Sequence, residues 1–350
     1  MLTRLHDKHL DIESLVRTYR QEVYRYIDEK LPKRHNHPDI QAFYEMLRDY
    51  PSRPSKGLRA ALCLLTCEAF GGKRSSCLTT AAALEIFQNW VLIHDDIEDD
   101  SELRRGQPVL HRKFGIPLAI NAGDALHVKM WEILLENRKA LGDTLTLTVL
   151  DEFCKMVNET TEGQHLELSW VDKKRWDLTA EDYFFMCGKK TSWYTAITPL
   201  RLGALVAGVN DQRLEQMIPL GYKLGLAFQI RDDVLNLLAE EQYGKEAAGD
   251  IYESKRTLIL IETLNRCSAE EREQAKKILD KPRSLKRGEE VEWILQLIRK
   301  TGSIEYASEV AENLANEAIK IFEEVFKDAR SAEAKAAIRS LIDLVVSRRW

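Results

Sequence analysis

Residues 84 to 100 read LEIFQNWVLIHDDIEDD, and this stretch decides the fold. Leu84, Phe87, Val91 and Leu92 recur at three- and four-residue spacing, which predicts a helix with one buried face. Asp95, Asp96, Glu98, Asp99 and Asp100 follow directly on the apolar run Trp90–Ile93. On a helix Asp95 and Asp99 are i, i+4 neighbours that point the same way, with Asp96 turned about 100° from them. Like charges in that relation cost a few tenths of a kcal/mol per pair unless cations compensate. The helix therefore carries its acids out of the core to a place where positive charge is expected.

The same spacing extends along the chain. Leu145, Leu147, Val149, Phe153, Met156 and Val157 predict a second apolar face, Leu220, Leu224, Ala227, Phe228 and Ile230 a third, and Val310, Leu314, Ile321 and Phe322 a fourth. No alternating segment bounded by hairpin turns stands out. Breaks fall at residues 35–38, 51–54, 71–76, 101–108, 239–256, 281–288 and 301–303. The longest, 239–256, has the length at which loops inside a compact domain are often functional. With 17 Gly and 9 Pro in 350 residues, the chain is poorer in both than ordinary proteins, against the many turns of an all-β fold. An apolar content of 44% excludes disorder, and a net charge of −5 gives no sign of a nucleic-acid binder. The expectation is one all-α domain spanning residues 1–350, with a dozen or more helices.

Six cysteines stand at 63, 67, 77, 154, 187 and 267 without zinc-type spacing, which suits a reducing cytoplasm. The charged start predicts no signal peptide. The stretch 191–210 carries only Arg201 as a charge, but its Pro199, Thr, Ser and Asn content predicts a buried helix rather than a transmembrane segment.

A second acidic motif lies in 225–236, GLAFQIRDDVLN, where Asp232 and Asn236 are again i, i+4 after an apolar run. Two oxygen-rich faces without Cys or His select a hard cation, and magnesium shared with phosphate oxygens is expected. Lys56, Arg59, Arg104, Arg105, Lys189, Lys190, Lys245 and Lys255 cluster near both motifs. Metals with convergent Lys and Arg describe a diphosphate site.

In this order the motifs resemble the trans-isoprenyl diphosphate synthases, the polyprenyl synthetase family that includes farnesyl and geranylgeranyl diphosphate synthases. The resemblance spans about Lys56 to Thr257. It rests on 56–59 (KGLR), 85–88 (EIFQ), 95–99 (DDIED), 104–108 (RRGQP), 122–126 (AGDAL), 162–164 (EGQ), Lys190-Thr191, 228–233 (FQIRDD), and Gly249, Asp250 and Lys255. It implies an isoprenoid-synthase-type bundle around an apolar cavity, magnesium held by Asp95, Asp99 and Asp232, and a homodimer. It implies that Arg104, Lys190, Lys245 and Lys255 hold the allylic diphosphate (dimethylallyl, geranyl or farnesyl). Lys56, Arg59, Gln88 and Arg105 would hold isopentenyl diphosphate, with Lys190, Thr191 and Gln229 as the catalytic set and the last two beside the reacting carbon. Three positions depart from the pattern. Gly57 stands where many members carry a side chain, Gln88 replaces a common His, and Asn236 replaces an Asp and is not assigned as a ligand.

The implied reaction ionises an allylic diphosphate, lets isopentenyl diphosphate attack the cation, and releases a proton. A class I terpene cyclase would lack the paired cations Lys56, Arg59 and Arg105, and a non-catalytic subunit of a prenyl synthase usually loses an acidic motif. Phe87, Val91, Asp95 and Asp99 form one ridge. At ~1.5 Å rise per residue, Val91 lies about 6 Å, Trp90 about 7.5 Å and Phe87 about 12 Å below Asp95. These three are expected to set the floor for chain length. Within the family, the single aromatic among the fourth and fifth positions before Asp95 favours geranylgeranyl over farnesyl diphosphate.

Overall fold

The computed structural model describes residues 12–238 and 248–347, with only the backbone for 345–347. Lys245 therefore lies outside the described residues. The described residues are all-α apart from one small hairpin. Helices α1 (Ile12–Lys30), α2 (Pro38–Ser52), α3 (Leu58–Ala69) and α4 (Arg74–Glu98) lead into the hairpin β1 (Leu103–Arg104) and β2 (Gln107–Pro108). Then come α5 (Leu110–Phe114), α6 (Ile116–Leu135), α7 (Arg138–Asp172) and α8 (Ala180–Cys187). A π-helical segment, Gly188–Ile197, continues α8 into α9 (Thr198–Val206) and is followed by α10 (Asp211–Leu238). The chain ends with α11 (Gly249–Tyr252), α12 (Leu258–Arg266), α13 (Ala269–Leu279), α14 (Gly288–Thr301), α15 (Ser303–Val325) and α16 (Ala332–Ser347).

The hairpin corrects the expectation of a plain break at 101–108. Leu103 pairs with Pro108 and Arg104 with Gln107, joined by Arg105 (φ 55°) and Gly106 (φ 75°). Two consecutive left-handed residues make the turn that closes a two-residue hairpin loop. Strands of two residues are too short to show alternation. In the 239–256 break, the described part is not irregular either: Gly249–Tyr252 is a short helix. Leu147 is a third correction. It belongs to the predicted second face but is exposed, whereas Val149, Phe153 and Met156 are fully buried.

α8 starts on a capping box, in which the Thr179 hydroxyl accepts from the Asp182 N–H and the Asp182 carboxylate accepts from the Thr179 N–H. The helix then widens into the π segment, against which glycines of two neighbours press. A Cβ at Gly163 of α7 would lie 2.2 Å from the Lys190 nitrogen, and one at Gly225 of α10 2.4 Å from Ser192 Cα. The close backbone contact leaves no room for any side chain at either glycine.

α10 joins two buried clusters. Leu214, Met217, Leu220 and Leu224 pack in one, Leu226, Ala227, Ile230 and Val234 in the other. α4 is long and apolar enough to cross a membrane, but 67% of its apolar window is buried inside the fold, as in a core helix. The 191–210 stretch is divided between the π segment and α9, both largely buried.

Candidate active site

The acidic end of α4, the acidic end of α10 and the start of α3 open onto one cavity of about 1430 Å³. Its walls include Asp95, Asp232, Lys190, Lys255, Lys56 and Arg59, and also Gln88, Arg104, Arg105, Thr191 and Gln229. Apart from Lys245, every cation predicted to bind substrate is thus on one cavity.

Asp95 and Asp99 each meet a cation. Asp95 Oδ1 lies 3.2 Å from Lys190 Nζ, and Asp95 Oδ2 lies 3.5 Å from Arg104 Nη2. Asp99 Oδ2 lies 2.8 Å from Lys255 Nζ, which also reaches Glu253 at 3.1 Å. Asp99 is not one of the residues that line the cavity, whereas its partner Lys255 is. Burial pushes the Asp95 carboxyl up, but Lys190, Lys255 and Arg104 outweigh it and hold the group well below the usual carboxylate range. Asp99 moves the other way, because burial and the neighbouring Asp95 and Glu253 outweigh Lys255. Lys190 is raised: Asp95 and Glu167 overcome its burial.

Asp96, offset on the helix, has a different role. It is fully buried, accepts from Arg104 Nε at 2.9 Å and from the Tyr50 hydroxyl, and so anchors Arg104 at the cavity edge. Arg105 donates to the Tyr50 carbonyl at 3.0 Å and to Asn89 Oδ1 at 3.3 Å. Arg59 donates to Thr195 Oγ1 at 2.8 Å and lies 4.4 Å from the centre of the Tyr194 ring.

On α10, Gln229 accepts from Thr191 Oγ1 at 3.1 Å and donates to Asp233 Oδ1 at 2.8 Å. Tyr183 holds the other Asp233 oxygen at 2.8 Å. Asn236 Oδ1 accepts from the Asp250 N–H at 3.1 Å, which commits the oxygen to backbone.

Below the acids the walls turn apolar. Trp90 and Val91 line the cavity, and Trp90 stacks on His127 of α6 with ring centres 4.0 Å apart. Phe87 is fully buried and stands behind the wall, 5.3 Å from Trp90 and 5.7 Å from Tyr194 between ring centres.

Sequence reasoning missed Tyr50, Arg53, Glu167, Tyr183 and Glu253, which hold the site residues from other helices. Only Glu167 and Tyr183 carried a local signal, being polar positions facing the same side as the EGQ and Lys190 motifs.

The metal question rests on the donor set. Asp95, Asp99 and Asp232 offer oxygen only, which fits a hard divalent cation. Among the described residues no three His, Cys, Asp or Glu converge to cage an ion by themselves.

The fold and this cavity define an all-helical protein with acids and cations at one end of a cavity and apolar walls below. A family model described as polyprenyl synthetase matches residues 40–298. The chain belongs to the polyprenyl synthetase family and is a prenyltransferase. It is 33% identical over 312 residues to a geranylgeranyl diphosphate synthase of Sulfolobus acidocaldarius, covering 89% of this chain and 92% of that one. It is 35% identical over 299 residues to a short chain isoprenyl diphosphate synthase of Methanothermobacter thermautotrophicus, covering 84% and 86%. A geranylgeranyl pyrophosphate synthase from Corynebacterium glutamicum, solved with isoprenyl diphosphate and magnesium, superposes with a TM-score of 0.87 at 28% identity, covering 97% of this chain and all of that one.

Proposed function

We propose that this protein condenses isopentenyl diphosphate with allylic diphosphates and releases geranylgeranyl diphosphate, using magnesium. The observation that carries this reading is the single cavity shared by both acidic helix ends and the Lys56, Arg59 and Arg105 group. Asp95, Asp99 and Asp232 would hold the metal, which supplies positive charge to the leaving diphosphate. Lys190, Lys255 and Arg104 would neutralise the same charge, exchanging carboxylate partners for phosphate oxygens. Lys56, Arg59, Gln88 and Arg105 would seat isopentenyl diphosphate. Preorganised cations at the departing diphosphate are the largest expected catalytic contribution.

Thr191 and Gln229, bonded to each other at 3.1 Å, would orient their oxygens beside the allylic carbon. Trp90, Val91 and the aromatic rings near them would keep water from the cation. The departing diphosphate would accept the proton lost from the new allylic chain.

The chain works as one domain, since α10 contributes to both buried clusters. We take it to be a homodimer, as the family resemblance implies. Ile116, Ile120, Val128 and Leu135 of α6 are exposed and fall within about a third of the helix circumference, which supports a covered face. Six free thiols support a cytoplasmic setting.

The test is direct. Purified protein is incubated with magnesium, isopentenyl diphosphate and labelled dimethylallyl, geranyl or farnesyl diphosphate, and products are separated by chain length. A C20 product is expected. Asp95→Ala should lower turnover by about 100-fold or more with its helical circular dichroism intact. No product from any primer, or near-normal turnover in Asp95→Ala, refutes the reading.

A further inference from the structure

Arg20 of α1 lines the cavity. α1 crosses the turn that begins α3, where Gly57 has a left-handed backbone (φ 63°). A Cβ at residue 57 would lie 2.9 Å from Arg20 Cβ and 3.0 Å from Arg20 Cγ. The Arg20 stem therefore fills the space beside Lys56 that a side chain at 57 would need. Its guanidinium carbon lies 5.5 Å from the centre of the Tyr24 ring. The Tyr24 hydroxyl is committed elsewhere, donating to Glu85 Oε2 at 2.9 Å and accepting from Ser55 Oγ at 2.7 Å.

Arg20 Nε is shielded from solvent and has no hydrogen-bond partner among the described residues. A buried donor without an acceptor costs free energy that an arriving anion would recover. Arg59 Nε is likewise shielded and without a partner among the described residues, although Arg59 donates to Thr195 through Nη2 and Arg105 donates to the Tyr50 carbonyl, so the open donors of Arg20 and Arg59 stand on the same cavity. Arg20 is thus a cation on the cavity wall with an open donor, held at the root of the Lys56–Arg59 turn.

We propose that Arg20 binds the diphosphate of isopentenyl diphosphate, as a third guanidinium beside Arg59 and Arg105. This rests on the condensation reading above. Guanidinium suits the task because its planar fork can present two N–H groups to phosphate oxygens. The acyclic stem packs on Gly57 and Tyr24, which limits the orientations lost on binding.

The experiment uses the full chain with magnesium, comparing wild type with Arg20→Gln, Arg20→Ala and Arg20→Lys. Arg20→Gln keeps most of the stem, so it tests the charge even if Arg20→Ala unfolds. Loss of one charge-assisted contact should raise the KM for isopentenyl diphosphate about 10- to 100-fold. The KM for the allylic diphosphate should stay within about twofold and kcat within about threefold, with Arg20→Lys recovering part of the affinity. Calorimetric titration with isopentenyl diphosphate alone gives the same comparison without turnover. An unchanged KM and affinity in folded Arg20→Gln overturns the Arg20 assignment and leaves condensation standing. An equal rise for both substrates also overturns it, because it marks general damage to packing. Wild type that binds isopentenyl diphosphate but forms no product overturns the condensation reading, while weaker binding in Arg20→Gln would still support the contact. Wild type that does not bind it overturns both.

Discussion

Arg53 shows how much of the site is fixed by single residues outside it. It sits between Pro51 and Pro54, at a point where the sequence reads only as a chain break. Its side chain is nearly fully buried, pairs with Asp49, and donates to the carbonyls of Arg104 at 2.9 Å and Pro108 at 2.8 Å. One guanidinium thus pins both strands of the hairpin that delivers Arg104 and Arg105. Arg53→Met would keep the volume and remove the donors. Asp49 would keep its partner Lys113, so the loss is that of the donors to the two hairpin carbonyls, about 1–3 kcal/mol. The expected result is a lowered Tm together with weaker binding of both diphosphates. A Tm and both KM values at wild-type levels would show that the hairpin holds its shape without this side chain.

At the level of the element, α4 carries both ends of the chemistry. Its last turn holds the acids, and Trp90 and Val91 line the cavity a turn or so below. Phe87 was expected on the floor itself but does not line the cavity, whereas Trp90 does, so the indole, with His127 stacked on it, is the surface a growing chain would meet first. Trp90→Ala should therefore shift products to longer chains by one or more five-carbon units, whereas Phe87→Ala should act weakly on its own. Chromatography of the products decides between these, and an unchanged C20 product in Trp90→Ala places the floor elsewhere. The π segment is the other instructive element. Helical spacing predicts apolar structure through 188–197, but not the wider π turn, against which Gly163, Gly221 and Gly225 of neighbouring helices pack closely. Such widened turns are often found at functional sites, and here the segment presents Lys190 and Thr191.

For the molecule as a whole, α6 is the open question that experiment can close. Its inner face packs Ala119, Ala122, Leu126 and Met130 in the core, while Ile116, Ile120, Val128 and Leu135 remain exposed. An apolar face of that kind is expected to be covered by a second copy. Sedimentation velocity at micromolar concentration should show a dimer, and Val128→Glu with Ile120→Glu should shift it to monomer. A wild-type monomer would contradict the homodimer. Because α6 also supplies His127 behind Trp90, loss of the dimer should alter product length as well as mass.

The sequence alone determined the all-helical class, the two acidic helix ends and six of the nine Lys and Arg residues that line the cavity among the described residues. Those features are local: a 3.6-residue period sets a helix face, and i, i+4 spacing places Asp95 beside Asp99 whatever packs against them. The family resemblance then ordered them along the chain. Tertiary structure decided what the acids meet. Lys190 reaches Asp95 across 95 residues of sequence and Lys255 reaches Asp99 across 156, and no local pattern encodes which cation finds which acid. Asp96 became an anchor and Asp95 a cavity group because Tyr50 and Arg104 arrive on only one side of α4. The same holds for Arg20, whose place beside Lys56 depends on α1 crossing a glycine that has no side chain to keep it away.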